Sequence, residues 1–474
     1  MYGIQLSVET LSMWIPRLRS DRRKYEALVE ELGKAIETGV LKPNDLLPPQ
    51  RELAYALGIN LSTVTRAYTE ATRLGMIRGE VGRGTYVLSD SREVSIFLET
   101  ARKREEIDLA TIGGRIDRLN GSGAAAGAFA ESISGLLAYG SQDLSRRAED
   151  AVRQWCAWRG HALGTDTIVL CAGAHAGLDA ALRVLTKPKQ AVLCEEHTFP
   201  GLKAVARFCD IRLVPVMCDS GGAIAESLLH QARATGARLF VTVPNMQNPT
   251  GSTMSRERRA EICKVVESAG ITVIEDDVYG ALCDEPTLIS GLSGQHIYLS
   301  SLSKSVAPGL KFGFLAGKQE ALERLSQEVT LTSWLTSPLL QTLAADVIES
   351  GAAQEQTMRN RRVLRERALI VERIFGCSPR TPAPYLWLKT PCDPDHFVDL
   401  AVANGVRVIS SSAFKVTRMA HCHVRASLFG NADDEEIARG LTVLRQLGAS
   451  IGQSASVLRN AIVIRDEGLA AEAS

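Results

Sequence analysis

The sequence predicts an α/β protein in two parts: a small helical front unit and a much larger body organised around a mostly parallel sheet. Three observations carry that expectation. The chain has 474 residues, 45% of them apolar and 23% charged, enough for two or three globular domains with separate cores. Up to about Leu88 the apolar residues recur at helical spacing. From about Ile116 onward, helical stretches alternate with short β-branched runs, the rhythm of parallel strands joined by crossover helices.

Taken in order, YEALVEELGKAIETGVL (Tyr25 to Leu41) places Leu28, Val29, Leu32, Ala35 and Ile36 on one helical stripe. KPNDLLPPQ then breaks the helix, and RELAYALGI forms a second, short one that stops at Gly58. Asn60, Ser62 and Thr63 are capping residues for a third helix. IRGEVGRGTYVL follows as a β-ribbon turning around Gly82 and Gly84. The front domain is thus expected over 15–88. Residues 89–115 are charged and lack a sustained apolar period, so they read as a connector, with one helical stretch near Phe97 to Glu106. The body spans 116–453 and takes its strands from TIVL at Thr167, AVLC at Ala191, LFVTVP at Leu239 and ITVIEDD at Ile271. An Ala-rich tail occupies 454–474.

Lys and Arg number 54, as do Asp and Glu, and the zero balance argues against a general polyanion-coating role while leaving room for a local basic face. MYGIQLSVET has no basic stretch followed by an apolar one, and no apolar run reaches the ~18 residues of a membrane span. A cytoplasmic protein without membrane contact is expected. The ten cysteines show no CxxC pair and read as reduced thiols. In the run His421, Cys422, His423 only the two histidines would share a strand face, so no metal is expected there.

In the front unit, two short helices joined by a tight turn form a shape that can lie in a DNA major groove. The second helix offers Ser62, Thr63, Thr65 and Arg66 near its start. Arg51 can reach a phosphate or a guanine edge, and Arg83 with Gly84 at the ribbon tip can approach the backbone. By itself the same pattern also suits a plain three-helix packing unit. Over about 65 residues, however, GVLKPNDLLPPQRELAYALGINLSTVTRAYTEATRLGMIRGEVGRGTYV closely resembles the winged helix-turn-helix of the GntR family. That resemblance implies binding of double-stranded operator DNA through Arg51, Ser62, Thr63 and Arg66, with Arg83 and Gly84 in the wing. Where many relatives carry arginine near the start of the reading helix, this chain has Leu61 and Thr65, so the bases read are expected to differ.

In the body, SLSKSVAPGLKFGF places Lys304 just past an apolar strand, where α/β proteins put reactive side chains. Alone, it could equally be a solvated loop lysine. Other segments supply what pyridoxal phosphate requires: an amine for a Schiff base, a carboxylate for the pyridine nitrogen, an aromatic face, and donors for phosphate. Asp276 ends a strand in VIEDDVYG, with Tyr279 three residues on. Asn248 lies in PNMQNPTG and can donate to the ring oxygen. Gly173, Ala174 and His175 sit at the mouth of a helix whose amides suit a phosphate. Ser301 and Ser303 flank the lysine with hydroxyls, and Phe199 in EEHTFPG is the candidate ring cover.

The order of AGAHAGLDAAL, EEHTFPG, NPTG, EDDVYG and SLSK resembles class I and II aminotransferases of fold type I over about 330 residues. The resemblance implies a central mostly parallel sheet with a smaller C-terminal α+β subdomain. It assigns Lys304 to the covalent cofactor link, Asp276 to the pyridine nitrogen, Tyr279 and Asn248 to the ring oxygen, and Phe199 to stacking. It also implies Tyr139 as a phosphate ligand given across a dimer interface, and Arg425 as the clamp on an amino acid's carboxylate. Lys311 stands where that family usually has arginine, keeping the charge but losing the bidentate fork. Both halves together resemble the MocR (GabR-like) regulators. The implied protein is a dimeric, pyridoxal-phosphate-dependent transcription regulator, arranged head to tail, that senses an amino compound or the cofactor itself. A working aminotransferase with an accessory DNA-binding domain is the alternative, and a body that only dimerises is a third reading.

Overall fold

The computed structural model describes residues 14–16, 18, 24–37, 40–41, 45–73, 76–80, 84–87, 106–113, 142–164, 166–331, 336–377, 379, 381–416 and 422–451. The chain divides into two units, Met1–Arg102 and Lys103–Ser474. The expected tail, the helical stretch before Glu106, Arg83, Tyr139 and His421 lie outside the described residues.

The first unit follows the expected order. Helix α1 (Lys24–Glu37) buries Leu28, Leu32 and Ile36 on one stripe, the spacing its sequence dictates. Strand β1 (Leu46–Leu47) precedes α2 (Gln50–Leu57), which stops because Gly58 turns left-handed at φ 61°. Helix α3 (Leu61–Arg73) sends Val64, Ala67, Tyr68 and Ala71 into the same core, and the Tyr68 hydroxyl donates to Pro48 O at 2.8 Å. The ribbon of β2 (Ile77–Glu80) and β3 (Gly84–Val87) pairs antiparallel, with β1 on its other edge. Gly84 opens β3 at φ 119°, and a Cβ there would come within 2.5 Å of Leu46 Cδ1.

The second unit begins earlier than the sequence suggests. Residues expected to fall in the connector form β4 (Ile107–Asp108), which pairs parallel with the later strand Val406–Arg407. The reason is burial: Leu109 is fully enclosed among Leu386, Phe397 and Val424. Asp108 folds the chain after it, accepting from the Ala110 and Thr111 amides and the Thr111 hydroxyl. Helix α4 (Gln142–Arg159) then leads to β5 (Thr167–Cys171).

Crossover helices follow in the expected rhythm: α5 (Ala174–Leu185), β6 (Ala191–Glu195), α6 (Pro200–Phe208), β7 (Arg212–Val216), then the small hairpin of β8 (Cys218–Asp219) and β9 (Gly222–Ala223). Next come α7 (Ala225–Thr235), β10 (Leu239–Thr242), α8 (Arg256–Ala269), β11 (Thr272–Asp276), β12 (His296–Ser301) and β13 (Gly313–Gly317). The seven-stranded sheet runs β5-β13-β12-β11-β10-β6-β7, and only β13 is antiparallel to its neighbours. Alternation along each strand feeds two cores. Leu193, Phe240, Val273 and Tyr298 point to one, and Val192, Val241, Ile274 and Leu299 to the other.

Helices α9 (Gln319–Leu331), α10 (Pro338–Glu349) and α11 (Ala352–Phe375) connect to the smaller C-terminal part. There β14 (Tyr385–Lys389), α12 (Pro394–Ala403), β15 (Val406–Arg407), β16 (Ile409–Ser410), β17 (His423–Ser427) and α13 (Asp434–Ile451) build an antiparallel β14-β17-β16 sheet beside the β4–β15 pair. Among the described residues no helix is long and apolar enough to cross a membrane, and all ten cysteines are free thiols.

One glycine fixes the mouth of the large sheet. A Cβ on Gly313 would sit 2.5 Å from Gly173 C and 2.6 Å from Ala174 N, both backbone atoms that cannot swing away. Gly313→Ala is expected to lower stability by about 1–3 kcal/mol through this overlap. A urea midpoint unchanged from the parent would show that the α5 entrance gives way freely.

Candidate functional sites

Parallel strands deliver their C-terminal ends to one edge of the sheet, and that edge is where the candidate residues meet. Asp276 closes β11 and pairs with Leu299, while Ser301 closes β12 and pairs with Gly313. Gly173 and Ala174 follow β5, where Gly173, at φ 91°, caps α5 without a side-chain partner. The first turn of that helix carries backbone N–H groups that have no acceptor within the helix, a setting for an anion.

Lys304 lies in the loop after β12 and gives its Nζ proton to Ile112 O at 3.2 Å. Burial pulls its pKa down to about 8, with the Arg425 and Lys311 cations adding to the fall and Asp276 opposing it. Asp276 is buried, and burial pushes its carboxyl up to about 7, against one hydrogen bond from the Val278 amide at 3.3 Å. The loop is held from within. Ser301 Oγ contacts Phe312 O at 2.8 Å and Ser303 Oγ at 3.0 Å, and it accepts from the Ser303 amide. Ser301 therefore shapes the lysine's loop, and Ser303 is the half-buried hydroxyl beside it. Lys311 is exposed in a left-handed conformation at φ 45°.

Across the pocket, Arg425 on β17 is buried, and burial draws its pKa below the ordinary value. It donates to Asn248 Oδ1 and to Ala110 O, each at 2.9 Å, while its Nε has no hydrogen-bond partner among the described residues. Its guanidinium lies 4.9 Å from the Phe414 ring centre and 5.6 Å from that of Tyr385. Tyr279 is buried edge-on to Tyr385 at 5.8 Å, and burial raises its phenol pKa. Tyr385 is anchored by donating to Met246 O. Phe199 precedes α6, with its ring 6.5 Å from that of His175. A Cβ at Gly201 would meet Phe199 Cε2 at 2.5 Å and His175 Nδ1 at 2.8 Å, so a larger residue there would have to displace these rings.

The structure thus brings together Lys304, Asp276, Tyr279, Asn248, Arg425 and the α5 entrance. It also adds residues that sequence reasoning missed. The carbonyls of Ala110 and Ile112, from the supposed connector, receive both principal cations, and Tyr385 packs against both Tyr279 and Arg425. The β-branched and apolar run IDLATI was the available signal. This donor set fits pyridoxal phosphate: a desolvated amine, a buried acid, a guanidinium with an unspent N–H, and a helix entrance beside the Lys311 ammonium.

In the first unit, Arg51, Ser62, Thr65 and Arg66 are exposed, Thr63 is half-buried and Gly84 is exposed at the ribbon. Arg66 does not simply extend outward, because its guanidinium stacks 4.0 Å over the Tyr25 ring. Thr65 Oγ1 donates to Gln50 Oε1 at 2.8 Å, tying the two helices of the turn together.

Residues 119–444 match the family model for aminotransferase class I and II, and residues 24–87 match that for bacterial regulatory proteins of the gntR family. The chain is similar to an uncharacterized HTH-type transcriptional regulator, YdeF, of Bacillus subtilis, at 29% identity over 92% of this chain and 96% of the relative. It is 27% identical to the HTH-type pyridoxine biosynthesis transcriptional regulator PdxR of Corynebacterium glutamicum, over 75% and 79% of the two chains. The probable rhizopine catabolism regulatory protein MocR of Rhizobium meliloti is 25% identical over 73% and 76%. Among solved structures, a multiple substrate aminotransferase from Thermococcus profundus shares the fold at TM-score 0.67 and 22% identity, over 77% of this chain and 96% of that one.

The depressed lysine pKa gives a direct test. The neutral, reactive amine of Lys304 is expected to appear as pH rises through about 8, whereas ordinary lysines deprotonate near 10.4. Competitive acylation read by mass spectrometry should show this offset. In Arg425→Gln, which removes a nearby positive charge, the Lys304 midpoint should move upward. A Lys304 that labels in step with the surface lysines would contradict the site.

Proposed function

Because the chain belongs to the class I and II aminotransferase family and carries a GntR-family regulatory domain ahead of that body, as MocR/GabR-like regulators do, we propose that it uses the aminotransferase-like pocket to control DNA binding. It is a pyridoxal-phosphate-dependent transcription regulator. The observation that carries this reading is the joining, in one chain, of an exposed reading helix and a site whose half-buried lysine has a lowered pKa.

When bound, pyridoxal phosphate supplies an aldehyde that condenses with primary amines and a protonated ring that withdraws electrons. In our reading Lys304 holds that group covalently, its amine being neutral in a useful fraction near physiological pH. Asp276 keeps the ring nitrogen protonated, and a positive partner would restore its ionised form. Tyr279 and Asn248 donate to the ring oxygen, Phe199 covers the ring, and Gly173, Ala174, His175, Ser303 and Lys311 receive the phosphate. Tyr139 is assigned to the phosphate of the opposite subunit in a head-to-tail homodimer. Arg425 receives the carboxylate of an amino-compound effector, which competes with the Lys304 amine. The likeness to PdxR also supports the cofactor itself as the signal.

The path from pocket to DNA starts at residues 106–113, which directly follow the chain joining the two units. Lys304 and Arg425 hold this segment through the Ile112 and Ala110 carbonyls. Any ligand that takes up those two cations removes these two ties and leaves the β4–β15 pairing and the Gly113–Phe429 hydrogen bond in place. The regulatory energy is then the difference in ligand affinity between the tied and released states. We place the protein in the cytoplasm, where its operator lies.

Borohydride treatment of the cofactor-loaded protein should fix a pyridoxyl group on the peptide containing Lys304, and Lys304→Ala should show none. Incubation with a panel of amino acids should give at most slow, single-turnover formation of oxo acids. Absence of the label would refute the cofactor assignment, and rapid multiple turnover would replace the sensor with an enzyme.

A further inference from the structure

The front of α3 is unusual in what it exposes. Helix-turn-helix units place the first residues of the second helix against base edges. Here that position is Leu61, 40% exposed, although the other large apolar side chains of α3, Val64 and Tyr68, are almost fully buried. Leu61 therefore contributes little to the core. Thr65 lies one turn further along the same face, and Thr69 one turn beyond it.

The polar groups of this face are largely committed elsewhere. Thr65 Oγ1 donates to Gln50 Oε1 and Thr69 Oγ1 donates to Thr65 O, both at 2.8 Å, so neither hydroxyl proton is available to a base. Arg66, the cation closest to the start of α3, rests on the Tyr25 ring at 4.0 Å. A guanidinium at the helix start would select guanine through its O6 and N7 acceptors. An aliphatic side chain backed by a threonine methyl offers no donor and matches a different feature. In the major groove of DNA that feature is the 5-methyl group of thymine.

We propose that Leu61, supported by Thr65, reads a thymine methyl in the operator, making an A·T pair the preferred contact at the start of the reading helix. The inference rests on the DNA-binding reading above and adds the base class that the helix selects. Arg51 at the start of α2 remains available for phosphate or a second base, so Leu61 sets preference at one step and leaves the bulk of the affinity to backbone contacts.

The test uses the full-length, cofactor-loaded protein and a duplex selected by it from randomised sequences. Affinities are measured by fluorescence anisotropy at one fixed salt concentration, because phosphate contacts make them salt-dependent. Each thymine in the selected site is replaced in turn by deoxyuridine, which removes only the methyl. At one or more positions the parent should lose about fourfold in affinity, the scale of burying one methyl group. Leu61→Ala should bind thymine and uracil duplexes equally at those positions, with an unchanged thermal midpoint because Leu61 lies outside the core. If uracil is tolerated everywhere, or if Leu61→Ala keeps the parent's discrimination, the assignment is overturned. If no sequence is enriched at all, the DNA-binding reading itself falls, and this inference with it.

Discussion

The pocket depends on one arrangement: an ammonium group withdrawn from water beside two other cations, with a single buried carboxylate to offset them. Lys304 loses hydration, feels Arg425 and Lys311, and regains only part of that loss from Asp276 and the Ile112 carbonyl. A lysine so placed is easily deprotonated. That is a cost to a merely structural side chain and an advantage to one that must form a covalent bond.

Holding an acid opposite that lysine requires a rigid strand end, and three consecutive carboxylates divide the work. Glu275 points away from the pocket and accepts the Leu288 and Ile289 amides. Asp277 accepts from Asn245 at 2.8 Å and from the Tyr298 hydroxyl at 2.9 Å, with Arg159 3.5 Å away. Between them, Asp276 is left with one weak backbone donor among the described residues, so its carboxyl oxygens stay open to whatever enters the pocket. Its neighbours fix the direction of Asp276 while leaving its carboxylate unspent.

Much of this was legible in the sequence, because the signals were local. Apolar spacing gave α1, small polar residues marked the start of α3, Gly58 marked the end of α2, and β-branched runs marked the strands that bring Asp276 and the Lys304 loop to one edge. What stayed hidden depends on distant pairing. Asn248 and Arg425 meet across 177 residues, and the strand at Ile107 is two residues long, too short to show a period. Tyr385 in a strand reads as ordinary core until its hydroxyl is seen anchored to Met246. The stacking of Arg66 on Tyr25 was hidden because the two belong to different helices.

Two of the contacts that hold residues 106–113 come from the side chains that the cofactor and effector would engage in the proposed function, which would couple occupancy to these contacts. The most direct measurement is operator affinity as a function of pyridoxal phosphate concentration, for the parent and for Lys304→Ala. The account predicts a change of at least about fivefold in the parent, within the usual range for linked sites, and none in the variant. An equal response in both proteins, or no response in either, would contradict it.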